Sequence, residues 1–163
     1  MSGKEYTTEL LKLEDAQIER MEEAKEEMIL QISLKRKMHT CPRCKAKTDQ
    51  VHDYRIRTVR DLSIRGKPLT LLYRRRRSFC PSCGKSFSET CAFLGKYQRF
   101  TYQVTERIMQ LLHHRWSMKD IARDTRTSVS GVARCLALYP QGKPRELPRV
   151  LSFDEFKGNA NGE

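Results

Sequence analysis

Two Cys-Pro-x-Cys knuckles, Cys41-Pro42-Arg43-Cys44 and Cys80-Pro81-Ser82-Cys83, constrain what this chain can fold into more than any other feature. The stretch between them is 35 residues long. Four thiolates offered as two close pairs match the tetrahedral demand of a structural zinc ion. Each proline restricts its turn, and Gly84 after the second pair lets the backbone take a positive φ beside the metal. Cys41, Cys44, Cys80 and Cys83 are therefore the candidate zinc ligands. Such a site is closed, with no open position for water, so no hydrolytic role follows from it. A rubredoxin-type iron centre is the alternative; the basic surroundings and the lack of a redox partner motif disfavour it. His39 and His52 stand nearby, but four cysteines already fill the site. Cys91 and Cys135 lack a close partner and read as buried or free thiols.

Charge says what such a scaffold would carry. The net charge is +12 over 163 residues, but it is unevenly spread. Residues 1–35 hold five basic and nine acidic side chains, a net of −4, whereas residues 36–163 carry a net of +16. Clustered positive charge of this kind is an electrostatic footprint for phosphate backbones. The run Arg74-Arg75-Arg76-Arg77 is its densest part, with Arg55, Arg57, Arg60 and Arg65 extending it. On a strand alternate side chains point to opposite faces, so the four arginines cannot all meet one backbone. Arg74 and Arg76 are the pair expected on DNA, together with Arg55 and Arg57. No apolar N-terminal signal and no run long enough to span a membrane are present, which predicts a soluble, cytoplasmic, nucleoid-associated protein with reduced thiols.

The pattern along the chain predicts an α+β, multi-module protein. Residues 1–37 read as an N-terminal segment with a short helix near Leu10–Leu13 and a hairpin of strands at 17–22 and 27–34. One long helix from Thr8 to about Leu34 is the competing reading, because Glu22–Glu27 has high helix propensity while Met28–Leu34 alternates as a strand does. Residues 38–95 read as a zinc ribbon. Its strands are Val51–Val59 and Leu69–Arg76, the turn between them is at Ile64–Pro68, and Tyr54, Phe79 and Phe87 pack beside the metal. So small a ribbon has little apolar core, so the metal is expected to supply much of its folding free energy.

Residues 96–139 read as an all-α helix-turn-helix. Val104, Ile108, Leu111 and Leu112 mark one helix, Ser117 caps a second carrying Ile121 and Ala122, and a third starts at Ser128 with Val129, Val132 and Leu136. A plain helical bundle is the bland alternative. Ser128, Ser130, Gly131 and Arg134 are the positions expected to be exposed on the third helix. Ser128, Ser130 and Arg134 are the candidate DNA contacts, with Arg134 foremost. Arg126 stands at a turn where glycine is common, and Gly131 inside the helix costs about 1 kcal/mol relative to alanine. His113 and His114, at the end of the first helix, read as partners of its dipole. Residues 140–149 read as a linker, and 150–163 as the first strand of a further domain, ending in Asp154-Glu155.

In this order, Cys41-Pro-Arg-Cys44, Val51-His-Asp-Tyr-Arg55, Arg60-Asp-Leu62, Gly66-Lys-Pro68 and Arg75–Cys83 resemble the N-terminal zinc-finger segment of bacterial ISL-three-type insertion-sequence transposases. The resemblance implies that the helical segment binds the element's terminal inverted repeats in double-stranded DNA, with no membrane partner. It implies a catalytic domain of RNase H-like fold with an Asp-Asp-Glu triad, of which Asp154 matches the first acid and Glu155 is not a member. One acid cannot hold two metal ions, so Asp154 is expected to be inactive alone. The chain thus reads as the DNA-binding part of a transposase truncated inside its catalytic domain, not an enzyme as it stands. Magnesium or manganese, and any homo-oligomer, belong to the full-length parent. A stand-alone zinc-ribbon and helix-turn-helix regulator, or an inactive transposase remnant, is the alternative.

Overall fold

In the computed structural model, which describes residue 9, residues 11–13 and residues 15–138, a mixed sheet lies beside three helices. Strands β1 (Ala16–Glu23) and β2 (Met28–Leu34) form an antiparallel hairpin. Of the helix-favouring run Glu22–Glu27, the first two residues end β1 and Ala24–Glu27 form the tip, because alternation in β2 wins. Met28, Leu30, Ile32 and Leu34 are all buried on one face, and that burial outweighs local propensity.

Short β3 (His39–Thr40) and β4 (Lys47–Thr48) pair around the first knuckle. Then come two long strands, β5 (Val51–Ile64) and β6 (Lys67–Phe79), joined by a tight turn at Arg65 and Gly66, both at positive φ. β5 begins at Val51 as predicted and runs on past Val59 to Ile64, whereas β6 extends the predicted Leu69–Arg76 at both ends. β7 (Ser86–Ser88) closes the second knuckle by pairing with the end of β6.

β6 organises the whole sheet, whose order is β1-β2-β6-β5. β5 pairs along nearly its full length. On its other edge β2 runs parallel to Leu69–Tyr73, and β7 runs antiparallel to Arg77–Phe79. The boundary expected between residues 37 and 38 is therefore not a structural one. The hairpin and the ribbon share one sheet and one core, in which Leu30, Ile32 and Leu34 meet Val59, Leu69, Leu71 and Tyr73. The ribbon does not lack an apolar core; the hairpin brings it one.

The helices are α1 (Tyr102–His113), α2 (Met118–Asp124) and α3 (Val129–Leu138). They enclose a second core of Val104, Ile108, Leu111, Ile121, Val132 and Cys135, onto which Leu62 of β5 and Phe100 pack. The Ser117 side chain accepts the Asp120 N–H at 3.2 Å and starts α2. Ser128 does the same for α3 through the Gly131 N–H at 3.0 Å. Arg126 holds the turn between α2 and α3 at φ +50°, and its carbonyl accepts from the Arg60 guanidinium at 2.8 Å. Buried Asp61 accepts from the Thr101 hydroxyl at 2.6 Å and from the Leu62 N–H at 2.9 Å. These bonds fix the helices to the end of β5. No helix among the described residues is long and apolar enough to cross a membrane. The predicted linker and the strand carrying Asp154 lie outside the described residues.

Candidate metal centre and nucleic-acid interface

The two knuckles have the same backbone construction. In the first, the Lys45 N–H donates to the Cys41 carbonyl at 3.0 Å and the Cys41 N–H to the Ala46 carbonyl at 2.9 Å. In the second, Gly84 and Cys80 repeat both bonds, to the Cys80 and Lys85 carbonyls, each at 2.9 Å. The residue after each second cysteine is left-handed: Lys45 at φ +63° and Gly84 at φ +68°. Gly84 has nothing near the place a Cβ would take, so the glycine supplies backbone freedom and not space. Lys45 adopts the same conformation with a side chain, at a cost of about 1 kcal/mol. The halves are tied by Thr48, whose hydroxyl donates to the Phe79 carbonyl at 2.8 Å, and by the Phe79 N–H on the Gln50 carbonyl at 2.9 Å.

This construction brings the four sulfurs within 4.8 Å of one another. Cys41 and Cys83 Sγ atoms are 3.6 Å apart, and those of Cys44 and Cys80 3.5 Å. A tetrahedron with zinc–sulfur bonds of about 2.3 Å has edges of about 3.8 Å. The cluster is thus positioned for a zinc ion, with two buried sulfur ligands, Cys41 and Cys80. Thiols this close oppose one another's ionisation. The N–H groups of Cys44 and Arg43 help bring the Cys41 pKa down to about 6. For Cys83 the Lys85 N–H acts downward, but burial and the neighbouring thiols push it up to about 12. A divalent ion bound to deprotonated sulfurs would remove that conflict. Phe79 and Phe87 are half-buried next to this site, whereas Tyr54 is exposed and not part of its packing.

The arginine run departs from expectation. Arg74 is exposed, its guanidinium 4.1 Å from the centroid of the Tyr54 ring and 3.7 Å from Glu19. Arg76 shares that face, but it is only 6% exposed and cannot present itself to a phosphate. The reason is the gap in β6 between its partners β2 and β7. Glu89 seals it: its N–H donates to the Arg76 carbonyl at 3.0 Å, and its carboxylate accepts the Arg76 N–H at 2.8 Å. The same carboxylate accepts the Tyr73 hydroxyl at 3.0 Å and pairs with the Arg76 guanidinium at 3.3 Å. Arg76 also donates to the carbonyl of Leu34, at the end of β2. Burial, reinforced by the Glu89 charge, pushes the Tyr73 hydroxyl pKa upward, and burial lowers that of His39, 4.0 Å from Glu89.

Arg75 donates twice to the Glu89 carbonyl, at 2.9 and 3.1 Å, and Arg77 pairs with Asp53 at 2.8 Å. Arg57 is half-buried and bonds the carbonyls of Lys96 and Gln98, so it is a structural clamp; Arg55 is exposed. Sequence reasoning missed Glu89. It is the single acid between Asp61 and Glu106, and that isolation among so many cations was the available signal.

On α3, Ser128, Ser130 and Arg134 are exposed, with the Arg134 Nε on the Ser130 carbonyl at 3.3 Å. Gly131, expected on the surface, is buried instead. A Cβ there would lie 3.2 Å from Ser128 Oγ and 3.7 Å from Phe100, so the glycine leaves room for the capping Ser128 side chain. Cys135 is buried and Cys91 half-buried, and burial raises both thiol pKa values.

Comparison with known proteins fits this geometry. The family described as the zinc-finger of transposase IS204/IS1001/IS1096/IS1165 matches residues 37–83, the stretch from just before the first knuckle to the last cysteine. Residues 37–83 are thus similar to the zinc finger of those transposases. The transposase for insertion sequence element IS1001 from Bordetella parapertussis is 41% identical over 76 residues, which is 47% of this chain and 19% of that transposase. The chain thus spans about a fifth of the curated relative it matches. No solved structure matches.

Proposed function

We propose that this chain is the DNA-binding N-terminal part of an insertion-sequence transposase, one that recognises the element's terminal inverted repeats in duplex DNA. The observation that carries the reading is the closed four-cysteine cluster inside a matched transposase zinc finger, welded to a basic three-helix unit. In this reading Cys41, Cys44, Cys80 and Cys83 hold a structural zinc that fixes the end of the ribbon. α2 and α3 act as a helix-turn-helix, with Ser128, Ser130 and Arg134 at the DNA. Arg134 reads a base edge, while Arg55 and Arg74 neutralise phosphates. Two-metal strand transfer, with magnesium or manganese, is assigned to the full-length parent, with Asp154 as the first acid of its triad.

The test is fluorescence anisotropy on a terminal-repeat duplex and on a random one, over a range of salt. Binding should fall steeply with salt through counterion release. Arg74→Ala should weaken both duplexes alike. Arg134→Ala should narrow the preference for the repeat by about 1–3 kcal/mol. An unchanged repeat-to-random ratio in Arg134→Ala would remove α3 as the reading element.

A further inference from the structure

A second cationic feature lies apart from the arginine strand. The segment Gly95–Arg99 and the side of α3 that carries Ser128, Arg134 and Leu138 face one another across a cleft of about 900 Å³, with Arg60 joining the two walls. Arg60, Lys96, Arg99 and Arg134 line it, and no carboxylate does among the described residues. Lys96, Arg99 and Arg134 are exposed, and none is in an ion pair among the described residues.

The segment is held firmly. The Arg57 guanidinium bonds the carbonyls of Lys96 and Gln98 at 3.4 and 2.7 Å. The Gly95 N–H donates to the Gln98 side chain at 3.2 Å, and the Arg60 N–H to the Arg99 carbonyl at 2.9 Å. On this pinned turn Tyr97 is 84% exposed, with the Lys96 ammonium 5.3 Å from its ring centroid. A rigid turn that holds an aromatic ring and two unpaired cations in solvent opposite Arg134 of α3 suits a polyanion with flat apolar faces.

We infer that Gly95–Arg99 is a second DNA-contacting element, forming with this side of α3 a cleft that grips the phosphate backbone of duplex DNA. Lys96 and Arg99 meet phosphates from one side, and the Ser128 end of α3, whose Arg134 reaches the base edge, closes the other. Tyr97 packs its ring against the sugars and bases beside them. Because Arg60 bonds the turn before α3 and the strand segment after Gln98, both walls move as one body. This inference rests on the reading of the chain as a duplex-DNA binder.

Salt-dependent anisotropy with a random-sequence duplex tests it, since phosphate gripping needs no particular sequence. Lys96→Ala with Arg99→Ala should lower the magnitude of the slope of log affinity against log salt by about 2, near 0.9 for each phosphate no longer neutralised. Tyr97→Ala should weaken binding about tenfold and leave the slope alone. Zinc content and circular dichroism, unchanged in all variants, show that they fold. Wild-type binding with an unaltered slope in the double variant overturns this inference and leaves the DNA reading intact. Wild-type failure to bind either repeat or random duplex overturns both. Tighter binding of single-stranded DNA, lost in Tyr97→Ala, overturns the assignment to duplex.

Discussion

Glu89→Gln is the most direct probe of how the two partners of β6 are joined. The carboxamide keeps the oxygen that accepts from the Tyr73 hydroxyl at 3.0 Å and the Arg76 N–H at 2.8 Å. Shape and those two hydrogen bonds therefore survive. What is lost is the charge opposite an arginine whose side chain is 7% exposed. The guanidinium would keep only the Leu34 carbonyl, 3.1 Å from Nη2, as a partner. Removing one member of a buried pair costs about 3–5 kcal/mol, most of it the penalty of the charge left behind. Because part of the hydrogen bonding persists, the expected loss is near 3 kcal/mol. Glu89→Ala should cost more, since it also leaves the Tyr73 hydroxyl and the Arg76 N–H unsatisfied at about 1–3 kcal/mol each. Replacing Arg76 and Glu89 together by methionine removes the stranded charge but still leaves the Tyr73 hydroxyl, the Arg76 N–H and the Leu34 carbonyl without these partners, so it should recover only part of the Glu89→Ala loss. Urea unfolding of zinc-loaded protein, extrapolated to water, measures all three. A Glu89→Gln loss under about 1 kcal/mol, or a double variant no better than Glu89→Ala, would refute the buried-pair account.

Metal removal should act locally. Because the ribbon shares the hairpin's core of Leu30, Ile32, Leu69, Leu71 and Tyr73, chelation should release the knuckles and β3, β4 and β7 while the distal sheet stays protected, as hydrogen exchange would show. Lys45→Gly relieves a side chain held at φ +63° and should raise stability by up to about 1 kcal/mol in the same urea assay. Asp61 titrates high because it is buried, despite the bonds from Thr101 and Leu62. Its neutral form suits the fold, so wild-type stability falls as pH rises through the raised folded pKa. The stability of Asp61→Asn relative to wild type should thus be greatest at neutral pH and shrink below the ordinary Asp range, in thermal melts across pH.

Local signals were legible where a single residue type answers a single local need. The knuckle spacing located four sulfurs that the fold brings together, and Ser117 and Ser128 each begin a helix as their capping chemistry requires. The alternation of Met28–Leu34 identified a half-buried strand against the pull of Glu22–Glu27. The partner of that strand was not legible. β2 runs parallel to β6, a pairing across some 40 residues of sequence that no local periodicity encodes. Gly131 was misplaced for a related reason. Its exposure depends on Phe100 of a different segment approaching the helix, not on its position in the helical repeat.

The arginine strand shows where such reading stops. Alternation correctly puts Arg74 and Arg76 on one face, and both lie over the Tyr54 ring, at 4.1 and 6.0 Å. A face becomes a surface only if nothing covers it. At Arg76 the end of β2 and Glu89 cover it, because β6 changes partner from β2 to β7 at that point and the break in pairing has to be filled with hydrogen-bonding groups. A guanidinium with five donors and a carboxylate with two acceptors suit that gap better than apolar side chains, which would leave the Arg76 N–H and the Leu34 carbonyl without partners. The same arginine-rich composition therefore serves two purposes within four residues. Arg75, Arg76 and Arg77 hold the sheet together, and Arg74, exposed beside Glu19, is the one we propose for a phosphate. Mutating the run as a block would confuse loss of fold with loss of binding, whereas Arg74→Ala alone isolates the second.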